Sequence, residues 1–336
     1  MTDPLARAQA AGIHCLPIPT PFAVGRVNCW LIEDDPLTLV DTGPNSGKAL
    51  DELEQALAAR GRRIEDLERI VVTHQHIDHE GLVAILARRS GAEVCALDLL
   101  APVLEDFGAA MEREDELAEA LMLRHGIPRD VVIALRSMSR AFRAWGSAAR
   151  VTHHLRDGGT LGFAGRTLHV HHRPGHSPSD TVLHDPGRGL LIGGDHLLEH
   201  ISSNPLISRP LGGRSGEPGS GRPRALLTYL ESLRATQAME GVEVVLPGHG
   251  PPVTDARGLI EGRFALHERR AAKIASLLGD GPHSAYELAH ALWGNVAVTQ
   301  AYLTLSEVLG HLDLLGERGE VTEGEAGGIA RFARAT

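Results

Sequence analysis

Three histidines and an aspartate fall within six consecutive residues, His74-Gln75-His76-Ile77-Asp78-His79, between Thr73 and Glu80-Gly81. The apolar run Arg69–Thr73 before them reads as a buried strand, and Gly81–Arg89 after them as a helix. A strand-end turn carrying this set can aim several imidazoles and a carboxylate at one centre. Neutral imidazole and carboxylate are the donors that a borderline-soft divalent ion such as zinc takes. A merely solvated loop has no use for such a density of imidazole, in a chain with 19 histidines and only 4% aromatic residues.

Further donors are expected wherever another strand ends in a glycine-flanked histidine or aspartate. Arg173-Pro174-Gly175-His176-Ser177 follows the strand-like Leu168–His172, Gly193-Gly194-Asp195 follows Leu190–Ile192, and Leu246-Pro247-Gly248-His249-Gly250 follows Glu243–Val245. Glycine lets the backbone turn sharply beside a ligand and leaves room for what binds there. Each signal is weak alone, since Asp195 by itself could cap a turn. Taken in order with the histidine string, they name one site.

The segments Ile13–Ile18, Val27–Glu33 and Leu37–Val40 read as an antiparallel meander, followed by a helix over Ser46–Arg60 with Leu50, Leu53 and Leu57 on one face. Strands are also expected at Glu93–Leu97 and Thr181–His184. This mixture predicts a layered α/β fold rather than a doubly wound sheet. Leu99–Gly146 reads as a helical insert, broken at Gly126–Pro128. It carries Met111, Met122 and Met138, three of the five methionines, with Leu121, Leu123, Phe142 and Trp145. Such adaptable side chains suit a lid over an apolar substrate, or they pack the insert's own helices. Arg209–Arg224 is Gly-, Pro- and Arg-rich and predicts an irregular excursion. Residues 257–336 read as three helices and a short β-like tail, a small second unit after a first unit of residues 1–256.

Charge limits the function classes. The chain has 33 Lys and Arg against 43 Asp and Glu, a formal net charge of −10. Counterion displacement from phosphates needs a basic surface, so sequence-independent nucleic-acid binding is disfavoured. Cys15, Cys29 and Cys95 form no CxxC pair, which argues against a disulfide framework. No signal peptide and no apolar run long enough for a membrane span are visible, so the expectation is a cytoplasmic protein.

The motifs from Asp41 to His249 resemble those of the metallo-β-lactamase-fold hydrolases. The resemblance implies an αββα sandwich with a two-metal site. His74, His76 and His176 would bind the first ion, Asp78, His79 and His249 the second, and Asp195 would bridge them. Two Zn²⁺ are the expected ions, although iron or manganese would satisfy the same donors. Asp41, in Leu39-Val40-Asp41-Thr42-Gly43, would orient a ligand from behind. His196 and His200, close after Asp195, are candidate substrate contacts. The bridging aspartate makes the set similar to glyoxalase II, thioesterases, lactonases and nucleases. True β-lactamases tend to lack it, and the redox di-iron branch has glutamate where His76 stands. Residues 263–321 more loosely resemble a winged-helix tail found in one branch. Here that tail holds eight basic and ten acidic residues over 257–336, and none of Val296–Gly316 is Lys or Arg. Base and phosphate contacts need such residues. The tail is then a wall of the site or an element of a homodimer.

A hydroxide held between two ions, with Asp78 and Asp195 setting its direction, is the catalytic device this resemblance implies. The expected reaction is hydrolysis of an ester-type bond in a small-molecule acyl substrate, a thioester or ester first. A lactonase and a phosphodiesterase or nuclease follow. A ligand-sensing DNA-binding regulator is the non-enzyme alternative.

Overall fold

A computed structural model describes residues 3–212 and 222–335 of the chain. The first sheet runs β1 (Ile13–Ile18), β2 (Val27–Ile32), β3 (Thr38–Val40), β4 (Arg69–Val72), β5 (Glu93–Leu97) and β6 (His153–Leu155), in that spatial order. The β1–β2–β3 meander is antiparallel, as expected, and β3 through β6 are parallel. Parallel pairing needs crossovers. These are supplied by α2 (Gly47–Ala58), by α3 (Ile77–Glu80) with α4 (Val83–Ser90), and by the insert α5 (Ala101–Glu105), α6 (Phe107–Arg124) and α7 (Arg129–Phe142). A short helix α1 (Pro4–Ala10), which the sequence did not suggest, precedes β1.

The second sheet holds β7 (Thr160–Gly162), β8 (Thr167–His172), β9 (Thr181–Asp185), β10 (Leu190–Gly194) and β11 (Val244–Pro247), in the order β11-β10-β9-β8-β7. Only β10 and β11 are parallel, because α8 (Ala225–Gln237) carries the chain between them. The remaining elements are α9 (Ala256–Leu277), α10 (Ala285–Trp293), α11 (Val296–Thr299), α12 (Ala301–Glu317) and the hairpin β12 (Val321–Ala326) with β13 (Ile329–Arg334).

Period-two alternation builds the layers. In β4, Val71 faces the second sheet, in a core with Trp30, Leu183 and Leu246, while Ile70 and Val72 face the helices with Leu53 and Leu86. On the outer side of the second sheet, Val182, Leu191 and Val245 join Tyr229, Ile260, Ile274, Leu305 and Leu309 in a third core. The result is the expected αββα sandwich. The C-terminal helices do not pack only on one another, since they share that third core with the second sheet.

One expectation changes here. Met122 is buried in the third core, so it packs the interior and does not line a lid, while Met138 is 50% exposed. Of Arg209–Arg224, residues 213–221 lie outside the described residues, and the flanks are irregular.

Candidate metal centre

Every proposed ligand leaves a strand or its following turn at one edge of the sandwich. His74 and His76 follow β4, and Asp78 and His79 lie in α3. His176 follows β8, Asp195 directly follows β10, and His249 follows β11. The donors form overlapping trios, His74–His76–His176, His74–His79–Asp195 and Asp78–His79–His249, each within 4.8 Å. His76 Nδ1 lies 3.1 Å from His74 Nε2 and 2.9 Å from His176 Nε2. Asp195 Oδ2 is 3.5 Å from both His176 Nε2 and His249 Nε2, and so stands between the two outer trios. Donors placed tetrahedrally around one ion at about 2 Å stand roughly 3.3 Å apart, which is the spacing seen.

The outer partners decide which ring nitrogen is bare. Asp41 can only accept: Oδ1 takes the Thr73 N–H at 2.9 Å, and Oδ2 takes the Thr73 hydroxyl at 2.9 Å and His79 Nδ1–H at 2.8 Å. With its own proton spent on Asp41, Thr73 Oγ1 must accept from His74 Nδ1–H, at 2.9 Å. His249 Nδ1–H donates to the Arg26 carbonyl at 2.8 Å. In their neutral form His74, His79 and His249 therefore all turn an Nε2 lone pair inward. The inward atoms then face other lone pairs. His249 Nε2 is 3.3 Å from Asp78 Oδ2, and His79 Nε2 is 3.4 Å from Asp195 Oδ1. Both His79 Nε2 and Asp195 Oδ1 are buried without a hydrogen-bond partner among the described residues. Such an arrangement is repulsive without a cation in it, and the donor set fits divalent ions.

The electrostatics divide the ligands. Burial holds His74 well below its ordinary value and drives His76 down to about 3, so both rings are neutral. Burial works against protonation of His79 and His249, but the Asp195 carboxylate outweighs it and raises both, His79 well above its ordinary value, and the same attraction to positive imidazole holds the Asp195 carboxyl well below the usual range. The cluster therefore calls for positive charge beside Asp195, where a divalent ion would supply it. Asp41 adopts φ 60°, a left-handed backbone unusual for a non-glycine residue. Gly248 is required by close approach, since a Cβ there would lie 2.3 Å from Asp195 Oδ1 and 2.7 Å from His79 Cε1.

A sequence model of the "Metallo-beta-lactamase superfamily" matches residues 23–249, from the β1–β2 loop to the last histidine of the centre. The chain belongs to the metallo-beta-lactamase superfamily. It is 33% identical over 316 residues to "Probable metallo-hydrolase YqjP" of Bacillus subtilis, covering 94% of this chain and 95% of that one. It is 28% identical over 182 residues to the bovine "Acyl-coenzyme A thioesterase MBLAC2", 51% of this chain and 58% of that protein. Among solved structures, a metallo-beta-lactamase family protein from Thermus thermophilus superposes with TM-score 0.78 at 30% identity, covering 96% of this chain and 98% of the other.

Two residues next to Asp195 fare differently in this superfamily member. His196 is fully buried, its Nε2 bonded to Thr236 Oγ1 at 2.8 Å, so the expected substrate contact is corrected to an interior polar link. The reason is a helix 40 residues away in sequence, which proximity to Asp195 did not reveal. His200 is exposed, with Glu199 3.8 Å away. Residues that sequence reasoning passed over include Thr73, Arg26 through its carbonyl, and Asp180. Asp180 accepts from the Ser177 N–H at 2.9 Å and hydroxyl at 2.8 Å, which closes the turn carrying His176. The run Ser177-Pro178-Ser179-Asp180 was the available turn signal.

A fourth donor group, His267, Glu307 and His311, lies buried between α9 and α12. It is partnered internally: His311 Nδ1–H donates to the Glu307 carbonyl at 2.7 Å, its Nε2 accepts from His267 Nδ1 at 3.2 Å, and Arg270 pairs with the Glu307 carboxylate.

Proposed function

We propose that this chain is a hydrolase of ester-type bonds, with acyl thioesters as the preferred class. His74, His76 and His176 would hold one divalent ion and Asp78, His79 and His249 a second, with Asp195 between them; zinc fits best, and iron or manganese would also be accommodated. The observation that carries the reading is the inward set of imidazole lone pairs facing the Asp78 and Asp195 carboxylates. When bound, such a pair of ions supplies a water acidified toward neutral pH and an electrophilic contact for a carbonyl oxygen.

The chain's own groups do the rest. Asp78 and Asp195 are placed to accept hydrogen bonds from the attacking water and fix its direction. Asp41 and the Arg26 carbonyl keep the ligand rings in the tautomer that leaves Nε2 free. Phe22, on the loop leading to Arg26, meets Phe142 and Trp145 of the insert edge-on, and those two rings lie tilted on each other, with ring centroids 5.1–5.7 Å apart. The end of the insert is tied to the metal-bearing segment by Asn45 N–H to the Trp145 carbonyl at 2.7 Å and the Ser147 hydroxyl to the Gly81 carbonyl at 2.8 Å. Aromatic rings on both flanking segments suit an apolar acyl group better than a phosphodiester backbone. The MBLAC2 likeness supports a thioester in particular.

The regulator alternative loses ground on α12, of whose 17 residues twelve are buried, which leaves little open face for a groove. The test is turnover by purified protein on acyl-CoA, simple thioester, lactone and bis-p-nitrophenyl phosphate panels. Thioesters turned over with the highest kcat/KM support the reading, and activity confined to the phosphodiester defeats it.

A further inference from the structure

His176 and Asp195 lie beyond β8 and β10, which are not neighbours, since β9 runs between them. Their donor atoms must nonetheless stand 3.5 Å apart. The ladders to β9 space the two strands, but beyond the strand ends the two loops have no ladder between them. One stripe of α8 touches both.

Tyr229 is fully buried, and its hydroxyl donates to the carbonyl of His196, the residue after Asp195, at 2.9 Å. The same residue backs the other loop. A Cβ on Gly175, the residue before His176, would lie 2.5 Å from Tyr229 Cβ and 2.6 Å from its Cα, so this loop rests directly on the helix backbone. One turn on, the Ser232 hydroxyl donates to the Pro174 carbonyl at 2.6 Å. After another turn, Thr236 Oγ1 meets His196 Nε2 at 2.8 Å. Positions 229, 232 and 236 share one helical face, as the i, i+3, i+7 spacing requires. Behind Tyr229, the His267 ring of the C-terminal unit stands edge-on at 6.4 Å between centroids.

We infer that Tyr229 is a positioning residue for the metal centre: it fixes the loop of His176 and the loop of Asp195 at one separation, and through His267 it ties that separation to the C-terminal helices. The inference rests on the ligand assignment proposed above. Tyr229 itself touches no reacting atom. Its hydroxyl acts on the backbone next to Asp195, and its ring and backbone act on the backbone next to His176.

The experiment is a cobalt(II) titration of the full chain, followed by visible absorption and by competition with a chromophoric chelator, for wild type, Tyr229→Phe and Thr236→Val. Wild type should take up two cobalt ions. Tyr229→Phe removes only the hydroxyl, and should stay folded by circular dichroism. It should bind cobalt about tenfold more weakly, the lower end for losing an outer partner of a metal site. Its visible band should shift, and kcat should fall more than KM rises. Thr236→Val should move the same readouts less. A merely structural role would lower thermal stability and leave the band in place. Unchanged cobalt affinity and an unchanged band in Tyr229→Phe would overturn the inference while leaving the ligand assignment intact. If Tyr229→Phe does not fold, an unchanged titration in Thr236→Val overturns it equally. A wild-type chain that binds no cobalt at the centre would overturn the ligand assignment, and the role of Tyr229 with it.

Discussion

Two buried clusters in this chain have nearly the same chemical composition and opposite bonding logic. At the sandwich edge, outer acceptors take the Nδ1 protons of His74, His79 and His249, and the inner Nε2 lone pairs face carboxylates. Between α9 and α12, the inner faces of His267 and His311 bond each other, and Arg270 neutralises the carboxylate of Glu307. Metal-ligand residue types within reach of one another do not make a metal site. What separates the two clusters is whether the inward atoms already have partners.

The largest contrast should come from removing one donor in each cluster. Asp195→Ala or His76→Ala should lower hydrolysis by about 10³-fold or more, because the group that charge development depends on is gone. His311→Leu should leave ion content, by elemental analysis, the same as wild type. Its cost should be about 1–3 kcal/mol of stability, since the His267 Nδ1–H loses its buried acceptor. Ion loss in His311→Leu would erase the distinction drawn above. Chelation should follow next in size. Ions present at roughly a thousand times their dissociation constant stabilise the fold by about 4 kcal/mol, so stripping them should lower the melting temperature and end turnover together.

Asp41→Asn probes the outer ring. An amide offers one acceptor where three donors now converge on two oxygens, so His79 and His74 lose their fixed tautomers. Ion affinity should fall by about 10- to 100-fold, with far-ultraviolet circular dichroism unchanged. The same substitution reasoning applied to Arg270, which neutralises the other cluster, should change stability only.

The sequence disclosed what is decided locally. A strand-end turn, its histidines and a flanking glycine lie within a few residues, so β4, β8, β10 and β11 and all the proposed ligands could be read from neighbours. Asp41 was legible only through the family resemblance of Leu39-Val40-Asp41-Thr42-Gly43. Hidden from that reading were features decided at long range. His196 looked like a substrate contact because Asp195 is adjacent, yet Thr236 and Tyr229 enclose it. Met122 looked like part of a lid, yet it packs in the core beneath α12. The His267–His311 pair joins residues 44 apart, on helices whose periodicity said only that each has a buried face.

The smallest expected effect concerns the proton on His267. The Glu307 carbonyl can only accept, so neutral His311 carries its proton on Nδ1 and its Nε2 accepts from His267 Nδ1–H. The other nitrogen of His267, Nε2, is then a bare buried acceptor, with no partner among the described residues. Charging this ring would bury an imidazolium with no new acceptor. Burial accordingly drives its pKa down to about 4, with Glu307 pulling it upward and His311, Arg270 and Arg263 pushing it further down. In the unfolded chain the value is 6.5. Between those two values the unfolded chain holds a proton that the folded chain does not, so stability is complete above 6.5 and is lost as pH falls toward 4. At about 1.4 kcal/mol per pH unit, lowering the pH from about 7 to about 5 should cost the folded state about 2 kcal/mol through this one group. His267→Leu should be less stable at both pH values, because His311 Nε2 loses its donor, but its difference between the two should be smaller than wild type by that amount. Urea unfolding of both proteins in chelator checks this, since the empty metal centre titrates equally in the two and cancels. Equal pH differences would mean that His267 is charged inside the folded protein. The second cluster would then be an ion pair of His267 with Glu307, and not the neutral pair whose facing nitrogens set it apart from the metal centre.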